Sequence, residues 1–317
     1  MQQSGLTQQA MPQAVDAVPL LFHIGYHKTG TSWLQQVFFP GHAAFVPLIA
    51  TQPWDDPLMR ALVAVSERSF DPQRARALLD AKLAEASLVA GQVAVVSAER
   101  LSGHPFSGGH DSFAIARRLQ AVAPQARVIA LVREQRAMIR SVYKQMVAEG
   151  FTLSLDEWMG MRPWKGTCGF DWSYYEYDKL VQHYQSLFGS ERTLFLPHER
   201  LRREPALFLS ELCAFCGVPN QEVGSEQQVN SSLGAAGTAL LRRLNRFRRS
   251  ELNPDPVLVL PARLTDNFRG VLRKMEKWFD VDDIQLDAAL ERQIVDYYRP
   301  ANRRLAELLN WPEHHGY

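Results

Sequence analysis

Residues 19–34 read Pro-Leu-Leu-Phe-His-Ile-Gly-Tyr-His-Lys-Thr-Gly-Thr-Ser-Trp-Leu. The apolar run Pro19–Ile24 predicts a strand buried on both faces. It runs directly into Gly25-Tyr26-His27-Lys28-Thr29-Gly30-Thr31-Ser32, and from Trp33 onward the apolar residues take helical spacing. A strand, a glycine-bracketed turn carrying lysine and hydroxyls, and then a helix together make a cradle for a phosphate. The glycines let the backbone come close, successive N–H groups point into the turn, and the helix N-terminus adds partial positive charge.

The variant of the loop carries information. A Walker A loop places its lysine after the second glycine, with a hydroxyl next to it for Mg²⁺. Here Gly25 and Gly30 keep the glycine spacing, but Thr31 stands at the lysine position and Lys28 comes two residues before Gly30. Such a loop binds phosphate without the usual metal geometry. The stretch Tyr26–Trp33 resembles the 5′-phosphosulfate loop of the sulfotransferase family. That resemblance covers roughly residues 19–216, fades beyond them, and implies 3′-phosphoadenosine 5′-phosphosulfate (PAPS) as sulfuryl donor, with no metal.

Working outward from the loop, the next buried strands are expected at Gln92–Ser97, Arg127–Val132 and Arg192–Leu196. Helical spacing marks Thr31–Phe39, Asp55–Glu67, Asp71–Ala90, Asp111–Val122, Glu134–Ala148, Asp171–Phe188 and Pro205–Cys216. Asp71-Pro72 suits an N-cap and first helical position, and Ser154-Leu155-Asp156-Glu157 is a capping box opening a further helix. Short apolar strands alternating with helices predict an α/β protein with a parallel sheet covered on both faces. The resemblance implies the P-loop-like sulfotransferase fold. From residue 221 the strand signal gives way to a mainly helical extension, so 18–317 reads as one domain. Residues 1–17 are rich in Gln and Ala without Lys, Arg or a long apolar core, and read as a disordered tail rather than a secretory signal.

The 317 residues carry 46% hydrophobic and 22% charged side chains with a net charge of +1, which argues against a dedicated nucleic-acid binder. No apolar run approaches the roughly 20 residues that span a bilayer. Three cysteines, Cys168, Cys213 and Cys216, make no disulfide framework and suit a reducing compartment, so the expected location is the cytoplasm. Cys213 and Cys216 lie within one helical stretch and lack a second ligand pair, which favours a structural role over zinc or redox chemistry.

In parallel sheets, ligands bind at the carboxyl ends of the strands. The loop at Gly25 and the segments after Ser97 and Val132 all fall there. Lys28 is the candidate for charge neutralisation as the sulfuryl group leaves. His27, Lys28, Thr29, Gly30, Thr31, Ser32 and Trp33 form the cofactor-binding run, with the hydroxyls also suited to capping the helix. Arg133 ends the third expected strand, and Ser141 lies eight residues on. The resemblance implies that this pair holds the nucleotide's 3′-phosphate, which a guanidinium fork and a hydroxyl suit chemically. Arg136 and Arg140 share a helix face and either add positive potential or are surface charge.

Glu99 follows the second expected strand, where family members place a catalytic histidine or glutamate, and is the candidate base for the acceptor hydroxyl. A salt bridge with Arg100 is its structural alternative, and His104, His110 and His27 are competing bases. The Arg-Lys-Gly motif of cytosolic family members is absent, so the outer side of the nucleotide site is left undefined. Segments Gln228–Leu233 and Tyr297–Leu305 resemble tail segments of bacterial sulfotransferase-like proteins. Trp164, Trp172, Tyr174, Tyr175 and Tyr177 would line an acceptor pocket or, at helical spacing, the core. Arg242, Arg243, Arg246, Arg248 and Arg249 would meet an acidic acceptor or an anionic membrane surface, or simply form a solvated helix face.

The expected activity is sulfuryl transfer from PAPS to an acceptor hydroxyl, with a tilt towards carbohydrate or other polar acceptors. A P-loop kinase is the rival enzyme, and a non-catalytic nucleotide-binding protein the rival outside catalysis.

Overall fold

A computed structural model describes residues 18–50, 55–162, 169–221, 223, 233–258, 270–272 and 282–311. The tail 1–17, Trp164, Cys168 and residues 228–232 of the Gln228–Leu233 segment lie outside them. Five strands, β1 (Leu20–His23), β2 (Phe45–Pro47), β3 (Val93–Ser97), β4 (Arg127–Val132) and β5 (Thr193–Pro197), form one sheet in the order β2-β3-β1-β4-β5. Every neighbouring pair is parallel; Leu20 faces Ala94 across β1 and β3, and Leu21 faces Arg127 across β1 and β4.

The period-2 pattern divides each strand between two cores. Phe22, Ala94, Val96, Val128, Ala130 and Val132 point into the larger one. Leu21, Val93, Val95, Ile129, Leu131 and Leu196 point into the smaller one on the opposite face. This two-sided burial is why the strands read as continuous apolar runs. The smaller core is closed by α1, a continuous helix built of Thr31–Trp33, a π-helical segment Leu34–Phe38 and Phe39–Gly41, and by α8 (His198–Arg203) and α9 (Pro205–Cys216). The larger core receives α2 (Pro57–Val63), α3 (Pro72–Ala86), α4 (Ser112–Val122), α5 (Gln135–Glu149), α6 (Leu155–Gly160) and α7 (Tyr177–Phe188).

Local chemistry sets the helix ends. Asp71 accepts hydrogen bonds from the N–H groups of Gln73 and Arg74, with Pro72 at the first helical position. Ser154 and Glu157 form the capping box in full. Gly217, with φ 71°, closes α9 in the left-handed region. The long helix expected over Asp171–Phe188 is divided instead: Trp172–Tyr175 forms a 3₁₀ turn, Glu176 leaves helical geometry with ψ 80°, and α7 begins at Tyr177.

Two C-terminal helices, α10 (Ala235–Leu244) and α11 (Ala288–Leu309), pack on α5, and α11 also packs on α7. Leu241, Ile294, Tyr298 and Leu305 enter the larger core. Arg304 Nε donates to Asp178 Oδ2 at 2.6 Å, and Gln135 Nε2 to Asn302 Oδ1 at 2.7 Å, tying α11 down.

Central strand β1 has β3 on one side and β4 on the other, so its carboxyl end opens at the point where the chain's crossovers diverge. That is where open α/β sheets bind ligands.

Candidate functional site

The loop leaving β1 is wound tightly by left-handed backbone. Gly25 has φ 101° and Gly30 φ 83°, and between them Lys28 adopts φ 63°, a region that lysine enters only at a cost. A Cβ on Gly25 would stand 3.2 Å from Glu99 Cα, so glycine is required there both for its conformation and for the approach of the β3 segment. Thr29 Oγ1 donates to Tyr26 O at 2.7 Å and closes the turn internally. Gly30 is the N-cap of α1 and provides no side-chain cap, so the hydroxyls expected to cap the helix do not. Trp33 N donates to Gly30 O at 3.1 Å, so within this turn the N–H groups of Thr31 and Ser32 are the ones suited to an anion or to water.

Arg133, just past β4, clamps the strained residue. Its Nη1 donates to Lys28 O at 3.1 Å, and Tyr177 Oη donates to Arg133 O at 2.9 Å. Burial lowers the Arg133 proton affinity, Glu199 opposes this, and the charges of Arg202 and Arg140 add to the lowering; a guanidinium stays charged through such shifts. The cations Arg133, Arg140 and Arg202 thus lie within electrostatic reach of one another beside the loop, an arrangement that favours an anion.

Lys28 and Ser141 wall the same cavity of about 170 Å³, together with Lys144 and Gln145 of α5 and Leu233, Thr238 and Leu241 of the C-terminal region. The structure thereby brings together Lys28, which the loop pattern singled out, and Ser141, which the family resemblance implied. Leu233 and helix α10 close this cavity on the side away from α5.

Glu99 stands directly after β3, at the start of a 3₁₀ turn, Glu99–Ser102, on the opposite flank of the loop. Thr31 Oγ1 donates a hydrogen bond to Glu99 Oε1. The other oxygen, Oε2, lies 3.9 Å from His27 Nε2. Burial pushes the Glu99 carboxyl above its ordinary range, while the Thr31 hydrogen bond and the Lys28 ammonium pull the other way. The Glu99 side chain keeps a quarter of its surface exposed, so the carboxylate is partly desolvated and still reachable. Arg100, the expected salt-bridge partner, is turned away and pairs with Asp111.

The competing histidines differ in placement. Burial, with the charges of Arg100 and Lys28, drives His27 down to about 3, so its imidazole is neutral beside Glu99. His104 is lowered to about 4 by burial and by Arg100. His110 is exposed, and its Nδ1 lies 3.2 Å from Ser107 Oγ. Among the loop's remaining residues, Ser32 is exposed, and Trp33 stacks on Phe38 at 5.9 Å between ring centroids.

A second cavity, of about 290 Å³, opens beside Tyr26 and is lined by Tyr174, His110, Phe113, Asp171 and Glu176 among others. Tyr174, Tyr175 and Tyr177 all belong to the larger core, and Tyr174, packed against Gly109, also lines this cavity. Tyr26 Oη donates to Tyr174 O at 3.1 Å, linking the loop after β1 to the cavity wall.

The arginine cluster is partly structural. Arg248 Nη1 donates to Ala148 O at 3.1 Å, Arg242 Nη1 to Thr152 O at 3.4 Å, and Asn245 Nδ2 to Val147 O and Phe151 O at 2.7 and 3.0 Å. These donors satisfy carbonyls at and just beyond the C-terminus of α5, where cations also suit the helix dipole. Arg243, Arg246 and Arg249 are exposed. Of the C-x-x-C residues, Cys213 and Cys216 are both buried in α9, and burial raises both thiols, Cys216 to about 12, which makes them poor nucleophiles.

Sequence reasoning missed α8. His198 packs behind Gly30, its ring 3.5 Å from where a Cβ would stand, and Glu199 Oε1 accepts from Glu134 N at 3.2 Å. The signal was present: His198-Glu199-Arg200 follows a buried strand directly, as the other three site segments do.

No curated protein matches the sequence. Among solved structures, a sulfotransferase from Alicyclobacillus acidocaldarius superposes with a TM-score of 0.54 at 19% identity, covering 93% of this chain and 97% of that one. The sulfotransferase domain of the Synechococcus PCC 7002 olefin synthase gives 0.47 at 15% identity, over 93% and 98% of the two chains. A mouse sulfotransferase complexed with PAP gives 0.42 at 14% identity, over 94% and 89%. The first of these shows a shared fold. The family model described as "Sulfotransferase family" matches residues 19–222, from β1 through the whole sheet and past the end of α9, and this chain belongs to the sulfotransferase family.

Proposed function

We propose that this protein transfers a sulfuryl group from PAPS to a hydroxyl of a polar acceptor. The observation that carries the reading is the loop's position between two chemistries. Lys28 walls a cavity with Ser141 on one flank, and Thr31 holds the Glu99 carboxylate on the other. The donor, when bound, supplies the activated sulfuryl group and a nucleotide bisphosphate as leaving group. The chain's residues fit it: left-handed backbone at Lys28 and Gly30, an uncapped α1 N-terminus, and the neighbouring cations Arg133 and Arg140 suit phosphates.

In this reading His27 to Trp33 form the donor-binding run, with Arg133 and Ser141 assigned to the 3′-phosphate. Lys28 carries the charge that offsets negative charge building on the bridging oxygen, and the catalytic gain is largely electrostatic and positional. Glu99 accepts the acceptor's hydroxyl proton at Oε2, the oxygen that Thr31 leaves unbonded. Its raised proton affinity suits a base that must hold that proton near neutral pH. The neutral His27 beside it adds no competing positive charge.

The second cavity supports a polyhydroxylated acceptor such as a carbohydrate, since Tyr26, Tyr174 and Phe113 offer ring faces and edges while Asp171, Glu176 and His110 offer hydrogen-bonding groups. The exposed Arg243, Arg246 and Arg249 are the part of the arginine cluster left for an anionic surface.

The test is transfer of radiolabelled sulfur from PAPS to a panel of sugars, polyols and phenols. Wild type should label at least one hydroxyl compound, and Glu99→Gln and Lys28→Ala should not. Labelling that survives in Glu99→Gln would remove the proposed base.

A further inference from the structure

Lys144 stands three residues along α5 from Ser141, and both face the cavity that Lys28 lines. Its ammonium pairs with Asp283 Oδ1 at 2.5 Å, a residue of the segment leading into α11. The partners are unequally placed: the Lys144 side chain is 11% exposed and that of Asp283 53%. The lysine belongs to the cavity wall, and the carboxylate reaches it from the solvent side.

The rest of the segment is held independently of that pair. Arg140 Nη1 donates to Ile284 O at 3.2 Å, and Ala235 N donates to Asp282 O at 2.8 Å. Arg140 Nε, on the same helix, is buried without a hydrogen-bond partner. Asp283 also accepts from its neighbour Ile284 N at 2.7 Å. Although burial pushes the Asp283 carboxyl up, the hydrogen bonds from Lys144 and Ile284 N and the charge of Lys144 outweigh it, so this carboxylate is ionised at neutral pH. Glu149 is the acid among the cavity's lining residues, and its Oε1 is engaged by Gln145 Nε2 at 2.9 Å.

We propose that Lys144 is a phosphate-binding residue of this cavity and that Asp283 is its exchangeable counter-ion. Resting on the donor-site reading above, this adds a cation that no sequence motif marks. The 3′-phosphate assigned to Ser141, entering beside Lys144, offers more charge and more acceptor oxygens than one carboxylate, so the ammonium transfers to it. Asp283 then turns to solvent, where it is already half exposed, while Arg140 and Ala235 keep the backbone of the segment in place. Until then Asp283 competes with the ligand for Lys144 and lowers the apparent affinity.

Calorimetric titration with adenosine 3′,5′-bisphosphate tests this on wild type, Lys144→Met, Lys144→Arg and Asp283→Asn. The exchange predicts opposite signs: Lys144→Met weakens binding about tenfold or more, Lys144→Arg restores most of it, and Asp283→Asn tightens binding roughly three- to tenfold. A purely structural ion pair would lower thermal stability in Lys144→Met and Asp283→Asn alike and leave affinity unchanged. Wild-type binding with affinity unmoved in both variants, or lowered in both, overturns the exchange and leaves the donor site standing. Absence of wild-type binding removes the donor site itself, and the exchange with it. Because Asp283 is half exposed, its variant reports even where Lys144→Met does not fold.

Discussion

Thr31, the first residue of the helix that follows the loop after β1, donates a hydrogen bond through Oγ1 to Glu99 Oε1 just past the carboxyl end of the neighbouring strand. One side chain thus couples the loop read as donor-binding to the carboxylate read as base. The Thr31 bond lowers the proton affinity of Glu99, and burial raises it by more. Thr31→Val should therefore move the acid limb of the kcat/KM profile to higher pH, because the base loses a bond that favours its ionised form. A limb that stays in place, or moves to lower pH, would separate Glu99 from the rate.

Glu99→Gln keeps the shape of the side chain and removes the proposed base. The expected loss in transfer is about 10²- to 10⁴-fold, with binding of adenosine 3′,5′-bisphosphate within about threefold of wild type. Comparable losses in both measurements would point to collapse of the loop instead.

Lys28 supports a separation of function from stability. Its φ of 63° is costly for lysine and free for glycine. Lys28→Gly should leave the thermal midpoint close to wild type, the relief of strain offsetting the added flexibility, while transfer falls by roughly 10²- to 10³-fold. A large drop in the midpoint would show that the ammonium has a structural function.

Gly25→Ala makes the opposite demand. Its Cβ would crowd Glu99 Cα and O at 3.2 and 3.3 Å, and φ 101° disfavours any side chain. A destabilisation of about 1–3 kcal/mol in urea titration is expected, together with loss of transfer.

Buried neutral histidines give the fold an acid limit. His23 and His27 are lowered to about 3 by burial, and His104 to about 4, from an ordinary value of 6.5. The unfolded chain binds these protons first, so their contribution to stability is present above pH 6.5 and lost as the pH falls towards 4 and below. Each should contribute a slope of up to about 1.4 kcal/mol per pH unit across that window. Urea midpoints at pH 7 and pH 5 measure it, and His23→Asn should flatten the slope if that variant folds.

The extent to which sequence anticipated this arrangement differs by element. β1, β3, β4 and β5 were legible because both faces are buried, which turns them into apolar runs. The edge strand β2 was not, since it has three residues and Pro47 is exposed. Helices α3 and α9 announced their ends through Asp71-Pro72 and Gly217, whereas the Glu134 side chain that caps α5 was found only in the structure. Glu176 gave no such sign before it divided the Asp171–Phe188 stretch, because Trp172 to Tyr177 carry apolar rings that suit helix and turn alike. At the site, the loop and the Arg133–Ser141 spacing were visible in the chain. The contacts of Lys144 with Asp283 and of Thr31 with Glu99 join residues far apart in sequence, and only the fold brings them together. The arginine run 242–249 shows the converse: composition suggested a surface, and two of its members cap α5 and the turn beyond it.

The most direct measurement is a metal-free calorimetric titration with adenosine 3′,5′-bisphosphate, beside ATP with Mg²⁺, on wild type and Arg133→Ala. Arg133 holds the Lys28 carbonyl at 3.1 Å and is assigned to the 3′-phosphate. The account predicts binding of the bisphosphate without metal, much poorer binding of ATP, and a loss of about tenfold or more in Arg133→Ala. Failure to bind the bisphosphate, or a clear preference for ATP with Mg²⁺, would contradict it.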